Sequence, residues 1–247
     1  MGLALPAGYA ARLLEEIDST NEEARRLARA GVEGPLWIMA KTQTAGRGRR
    51  GRAWVSPPGN LMATLVMRPD CPAVAAGQLS FVAALAVADL IQGIDPRLEI
   101  TLKWPNDVLV HDKKIAGILL ESSSSPTGAL EFLAIGIGVN LRHHPDGTPY
   151  PVTSLAAETA SVPEPETALG LLAQGFDRAL RMWRAHGFEP IRDGWLKRAK
   201  GVGRPVLVRL AEEELEGIFQ GLDKDGALIL QQPNGLTRLI TAGEVFF

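Results

Sequence analysis

The sequence holds one cysteine, Cys71, among 247 residues. A single thiol excludes an internal disulfide and fits a reducing compartment. Nothing around Cys71 marks it as a nucleophile, so no covalent-thiol chemistry is assigned to it. Histidine is equally sparse, at four residues. The pair His143-His144 with Asp146 has a spacing that fits no metal geometry, and no cysteine assists it, so these residues read as loop. Long apolar runs are missing as well. The longest, at 79–91, is interrupted by Ser80 and Asp89 and reads as too short and too polar to cross a bilayer. The N-terminus lacks the basic-then-apolar pattern of a secretory signal. Neither sign of charge dominates: the net charge is −2, which argues against a dedicated DNA-binding protein but allows a local basic patch. These absences describe a soluble, cytoplasmic, globular chain, long enough for one large domain and a small one.

What is present is concentrated at residues 46–54. Arg47, Arg49, Arg50 and Arg52 alternate with Gly46, Gly48 and Gly51, and Trp54 closes the run. No acid lies between Lys41 and Arg52, so this stretch carries five positive charges. Glycine allows left-handed backbone and close approach to a ligand. Arginine supplies a planar charged fork for phosphate or carboxylate, and tryptophan a face for stacking. Taken alone, the run is a solvated basic loop or an arginine–glycine segment that touches nucleic acid. With its surroundings it reads as a mobile loop that closes over a nucleotide and a small acid.

The rest of the chain supplies a scaffold. Ser19 with Glu22, and Thr20 with Glu23, fit a capping box, so a helix is expected from there to about Ala30, stopped by Gly31. The small polar side chains of Ser19, Thr20 and Asn21 can also reach a ligand at that helix end. Strands are expected at 36–41, 61–67, 98–104, 108–110, 114–121 and 129–140, with helices at 73–93, 168–186 and 191–199. Residues 122–128 read as a polar turn. Short turns between several strands favour a mixed or antiparallel sheet. From Arg204 onward short strands and tight turns point to a small β-barrel. Residues 206–247 hold seven acids and three bases, a net −4.

Two further clusters carry chemistry. In 103–107, Lys103, Asn106 and Asp107 flank a turn fixed by Pro105. Asp107 can hold Mg²⁺, and Asn106 can position a phosphate or sugar hydroxyl; an Asx turn is the plainer alternative. In 114–117, Lys114 opens an apolar strand, where burial is costly unless it is paired. Gly117 allows a ligand to approach the backbone. The alternative is a strand-end lysine whose amine reaches water.

In series, Gly46-Arg47-Gly48-Arg49-Arg50-Gly51-Arg52-Ala53-Trp54, Lys103-Trp104-Pro105-Asn106-Asp107 and Lys114-Ile115-Ala116-Gly117-Ile118 resemble the signature of biotin–protein ligases. Asp18-Ser19-Thr20-Asn21, Gln43 and Gly136-Ile137-Gly138-Val139-Asn140 match too, so the resemblance spans nearly the whole chain. It implies an α+β fold. Residues 1–200 would form a mixed sheet flanked by helices, as in class II aminoacyl-tRNA synthetases, and 201–247 an SH3-like β-barrel. It implies the monofunctional class, without an N-terminal DNA-binding domain. The implied substrates are biotin and ATP with Mg²⁺. The acceptor is a lysine of a biotin carboxyl-carrier protein, no DNA or membrane partner is expected, and a homodimer is left open.

The resemblance also assigns roles. Ser19, Thr20, Asn21, Gln43, Gly46, Arg47, Gly48, Arg49, Lys114 and Gly117 would bind biotin. Arg49, Arg52, Trp54, Lys103, Asn106 and Asn140 would bind the nucleotide, with Trp54 stacked on adenine. Arg47, Arg49 and Lys114 would be catalytic and Asp107 a metal ligand. A lipoate–protein ligase of related fold and a nucleic-acid-binding protein are the other readings.

Overall fold

The computed structural model describes residues 3–69, 71–124 and 130–247. Of the expected polar turn at 122–128, residues 122–124 instead continue β6, and 125–128 lie outside the described residues. Two sheets organise the chain. The first has seven strands: β1 (Ala10–Ile17), β2 (Leu36–Gln43), β3 (Leu61–Met67), β4 (Ile100–Lys103), β5 (Asp107–Val110), β6 (Lys113–Ser124) and β7 (Leu130–Val139), in the order β1-β2-β3-β7-β6-β5-β4. Among the described strands of this sheet only β1 and β2 pair in parallel, so the sheet is mixed, one of the two arrangements that the short turns favour. β1 was not expected as a strand. Its exposed positions blur the alternation that marks a half-buried strand.

Interior strand β3 is buried at every position, matching its apolar run. One face of the sheet is covered by α2 (Ala73–Gly77), α3 (Leu79–Ile94), α5 (Pro165–His186) and α6 (Glu189–Leu196). The run Val74–Ile94 is long and apolar enough to cross a membrane by length and composition, which corrects the reading that it is too short and too polar. It is 72% buried inside the fold, so it serves here as the core helix. Trp37 of β2 meets Phe176 of α5 edge-on, with ring centroids 6.0 Å apart. The short helix α4 (Leu155–Glu158) lies in a proline-rich stretch, between Pro151 and Pro163.

α1 (Thr20–Arg29) starts where the capping pattern put it, with Ser19 at the N-cap. The Ser19 hydroxyl makes no cap bond, contrary to the capping-box expectation. The free Thr20 N–H instead donates to Gln43 Oε1 at 2.8 Å, so a residue 23 positions away does the capping. The C-terminal sheet is antiparallel: β8 (Pro205–Arg209), β9 (Glu214–Leu222), β10 (Leu228–Gln231), β11 (Thr237–Ile240) and β12 (Glu244–Phe246), in the order β11-β10-β9-β8-β12. It packs on the larger unit through Phe81 and Phe188, whose rings crowd Gly226.

Candidate active site

The N-terminus of α1, the ends of β2, β5, β6 and β7, and the basic loop enclose a cavity of about 300 Å³. Its floor is glycine. Gly117 of β6 pairs with Gly138 of β7, and Gly136 lies two positions further along β7. A Cβ on Gly138 would come within 2.4 Å of the Trp54 ring, and one on Gly136 within 2.2 Å of Asn21 Oδ1. Each glycine therefore makes room for a side chain lying on the sheet.

A ladder of uncharged polar groups climbs one wall. Gln43 Oε1 accepts from the Thr20 hydroxyl at 3.0 Å, and Gln43 Nε2 donates to Ser56 Oγ at 2.9 Å. The buried Thr64 hydroxyl lies 2.8 Å from Thr20 Oγ1 and 2.6 Å from Asn21 Oδ1. Asn21 Nδ2 donates to Glu121 Oε2 at 2.8 Å. These bonds fix the orientation of every amide in the wall, as a site that recognises neutral polar groups requires.

Lys114 stands at the centre. In a regular strand residues 114 and 117 face opposite sides of the sheet. Here Val108 pairs with Ala116 but Leu109 pairs with Lys114, leaving Ile115 as an extra, bulged residue. The bulge turns Lys114 onto the Gly117 face, where its Nζ would lie 3.5 Å from a Cβ on Gly117. Lys114 Nζ is 2.7 Å from Asp107 Oδ1, and it sits 5.6 Å from the Trp54 ring and 5.5 Å from the Tyr150 ring. Asp107 Oδ1 is buried and takes no well-directed hydrogen bond, so only charge pairs it. Among the described residues no group of three or more His, Cys, Asp and Glu could hold a metal. One underused carboxylate in a cationic cavity suits Mg²⁺ arriving on a polyphosphate rather than a resident ion.

The basic loop is a small hairpin. Gly48 N–H donates to Arg52 O and Trp54 N–H to Gly46 O, and the tip carries Arg50 and Gly51 at φ of 56° and 72°. Each arginine has a protein acceptor. Arg47 reaches Glu22 at 2.7 Å and Glu121 at 3.4 Å, while Arg49 donates to Asn106 Oδ1 at 3.1 Å. Arg50 contacts Arg209 O at 3.5 Å, and Arg52 pairs with Glu244. Arg209, Glu244, Val245 and Phe246 of the C-terminal sheet complete the rim. Lys103 points over Phe246, at 5.6 Å from the ring centre. Burial lowers the pKa of both Arg49 and Lys103, so each gains from an arriving anion.

Residues 13–140 match the Biotin/lipoate A/B protein ligase family, and residues 201–247 match the Biotin protein ligase C terminal domain. The chain is 48% identical over 241 residues to the biotin–(acetyl-CoA-carboxylase) ligase of Paracoccus denitrificans, covering 95% of this chain and 99% of that one. It belongs to the biotin protein ligase family. It is also 32% identical to the bifunctional ligase/repressor BirA of Escherichia coli over 96% of this chain and 74% of that protein. The biotin protein ligase from Aquifex aeolicus in complex with biotin and ATP superposes with a TM-score of 0.82. That pair shares 28% identity and covers 96% of this chain and 97% of the Aquifex chain.

Within this biotin protein ligase, most residues singled out from the sequence line one cavity: Ser19, Thr20, Asn21, Gln43, Arg47, Gly48, Arg49, Arg52, Trp54, Lys103, Asn106, Asp107, Lys114 and Gly117. Gly46 and Asn140 do not line it. Gly46 packs under Trp54 O and Ser56 Oγ, where a Cβ would come within 2.7 Å of both. Asn140 is buried and donates its amide to Thr153 O at 3.0 Å. Trp54 lies over the Gly117–Gly138 floor beside Lys114.

Sequence reasoning missed Thr64, Glu121 and Tyr150. A lone hydroxyl inside the apolar run of β3 was a readable signal for Thr64. Glu121 sat at the end of an expected strand with no motif around it, and Tyr150 in a stretch without periodicity.

Proposed function

We propose that this protein activates biotin with ATP and transfers the biotinyl group to a lysine of a biotin carboxyl-carrier domain of a biotin-dependent carboxylase. The observation that carries the reading is one cavity with a neutral polar wall at one end, Lys114 in the middle and Arg49, Arg52 and Lys103 at the other. A polar wall recognises an uncharged ureido ring by hydrogen bonds. The cations suit a carboxylate meeting a polyphosphate.

In the first step a biotin carboxylate oxygen bonds to the α-phosphorus of ATP. The bond to the β-phosphate oxygen breaks, and pyrophosphate leaves. In the second step the carrier lysine, as its neutral amine, attacks the acyl carbon. The carbon–nitrogen bond forms, AMP departs and the amine loses a proton. Both steps gather negative charge beside Lys114, where a fixed cation stabilises it most. Arg47 and Arg49 hold the carboxylate and α-phosphate, and Arg52 assists the pyrophosphate. Ser19, Thr20, Asn21 and Gln43 bind the ureido ring, and Gly46 and Gly48 shape the loop over the acid. Asp107 would hold Mg²⁺, whose charge supports the phosphates, with Lys103 and Asn106 beside it. A mixed anhydride hydrolyses when water reaches it, so the hairpin and Trp54 also protect the intermediate.

In this reading residues 1–200 form the catalytic unit and 201–247 a separate C-terminal unit, and the enzyme works in the cytoplasm. Lipoate is disfavoured because the cavity is compact and its floor is already partly covered by Trp54. The test is pyrophosphate release with biotin or lipoate as the acid. Release with biotin and none with lipoate is expected; the reverse overturns the proposal.

A further inference from the structure

Gln43 is the central amide of the neutral wall, and its two ends meet partners of opposite kind. Its Oε1 lies 2.8 Å from the Thr20 N–H and 3.0 Å from the Thr20 hydroxyl. Its Nε2 lies 2.9 Å from Ser56 Oγ. A backbone N–H only donates, so the Thr20 side demands the amide oxygen. The Ser56 hydroxyl has one proton, and that proton goes to Trp54 O at 3.0 Å. A backbone carbonyl only accepts, so Ser56 Oγ is left as an acceptor and demands the amide nitrogen. Turning the Gln43 amide over would set N–H against N–H at Thr20 and draw the Ser56 proton off Trp54 O.

The rest of this relay is fixed too. Trp54 N–H donates to Gly46 O at 2.9 Å, which holds the Trp54 peptide in place. Ser56 is buried, so water does not readily replace a bond it loses. Gly46 leaves the relay its space. A Cβ there would come within 2.6 Å of Trp54 O, 2.7 Å of Ser56 Oγ and 3.1 Å of Gln43 Nε2, the three atoms of the relay. Among the described residues that line the cavity Gln43 is present and Ser56 is not. Ser56 therefore reaches an occupant of the cavity only through Gln43.

The apparent affinity of a site scales with the fraction of molecules that hold it in the binding arrangement. An amide free to turn presents donor and acceptor in both orders, and a given ureido ring pairs with one of them. We infer that Ser56 is a positioning residue for biotin: acting through Gln43, it holds that amide in the single orientation that the ureido ring meets. The inference rests on the biotin reading given above.

The experiment measures the Kd for biotin by calorimetry, single-turnover biotinyl-adenylate formation against biotin concentration, the KM for ATP and a thermal melt. The proteins are the wild type, Ser56→Ala, Gln43→Met and the double variant. Ser56→Ala should weaken biotin binding about fivefold. The rate at saturating biotin and the KM for ATP should stay nearly unchanged. Methionine keeps the length of Gln43 and removes the amide, so in the Gln43→Met background Ser56→Ala should weaken binding no further. Where Gln43→Met binds too weakly to titrate, the comparison is read from the slope of rate against biotin concentration. The same fold-loss in both backgrounds would mean that Ser56 supports the fold alone, and would overturn the inference. Wild-type affinity in Ser56→Ala would overturn it as well, and so would a parallel rise in the KM for ATP. If Ser56→Ala does not fold, Ser56→Cys decides, because a thiol fills the site but is a weak donor and acceptor. Its expected loss is about threefold, again absent in the Gln43→Met background. Wild-type protein that neither binds biotin nor adenylates it removes the proposed function and this inference together. An active wild type with additive losses removes the inference alone.

Discussion

Single side chains carry the specificity, and Thr64 shows how. It is wholly buried on β3, and its hydroxyl is the rung between Thr20 and Asn21. Without it, Asn21 Oδ1 keeps a buried lone pair with no donor, and a buried acceptor left unmade costs about 1–3 kcal/mol. Thr64→Val keeps the shape and removes the hydroxyl. It should lower stability by about that amount and weaken biotin binding, because Asn21 and Thr20 lose their fixed orientation. Calorimetric biotin titration beside a denaturant melt checks this; wild-type affinity in a destabilised variant would mean that the ladder serves the fold alone. At this scale the motif residues were legible because charge, amide and glycine in fixed order already state a chemistry. Thr64, Glu121 and Tyr150 were not, because each works only through neighbours that are distant in sequence.

Elements bring those side chains together, and the basic hairpin is the element most affected by its partners. Sequence reasoning foresaw a mobile loop. The structure shows a closed hairpin whose arginines rest on protein acceptors. Arg47 sits on Glu22 and Glu121, two carboxylates in the place a substrate carboxylate would take. A half-exposed ion pair is worth up to about 1 kcal/mol, or about a fivefold shift in population. Removing both with Glu22→Gln and Glu121→Gln should speed tryptic cleavage at Arg47–Arg52 by about that factor in the free protein. With biotinyl-adenylate bound, cleavage should match the wild type, since the ligand anions then hold the arginines. Equal cleavage of the two free proteins would show that the carboxylates do not store the loop. The strands were legible from apolar runs and turns, but the bulge at Ile115 was not. One extra residue inverts which face Lys114 occupies, and no residue type in 113–118 announces it.

At the scale of the whole molecule, the two sheets share one site. An acidic C-terminal barrel was legible as a separate module. Its approach to the catalytic cavity was not legible, because contacts between units hundreds of atoms apart leave no local pattern. β12 places Glu244 against Arg52, the preceding Gly243 carbonyl lies 3.5 Å from Arg49, and Phe246 flanks Lys103. Trp104 Nε1 of the cavity wall donates to Gly226 O at 3.2 Å, joining the units a second time. Deleting residues after Arg204 would therefore expose Phe81 and Phe188 and unseat Trp104, so a point change is the cleaner test. Glu244→Ala leaves the C-terminal sheet paired through its backbone and releases Arg52 from its acid. The nucleotide end should loosen while the biotin end stays intact. The expected result is a rise of about three- to tenfold in the KM for ATP, with the KM for biotin and the melting temperature nearly unchanged. Transfer from preformed biotinyl-adenylate to a carrier domain should stay near wild type, because AMP is already covalently placed. If transfer falls and the KM for ATP does not, Glu244 faces the carrier domain and the C-terminal sheet acts in docking. If neither moves, the contact between the sheets supports only the fold.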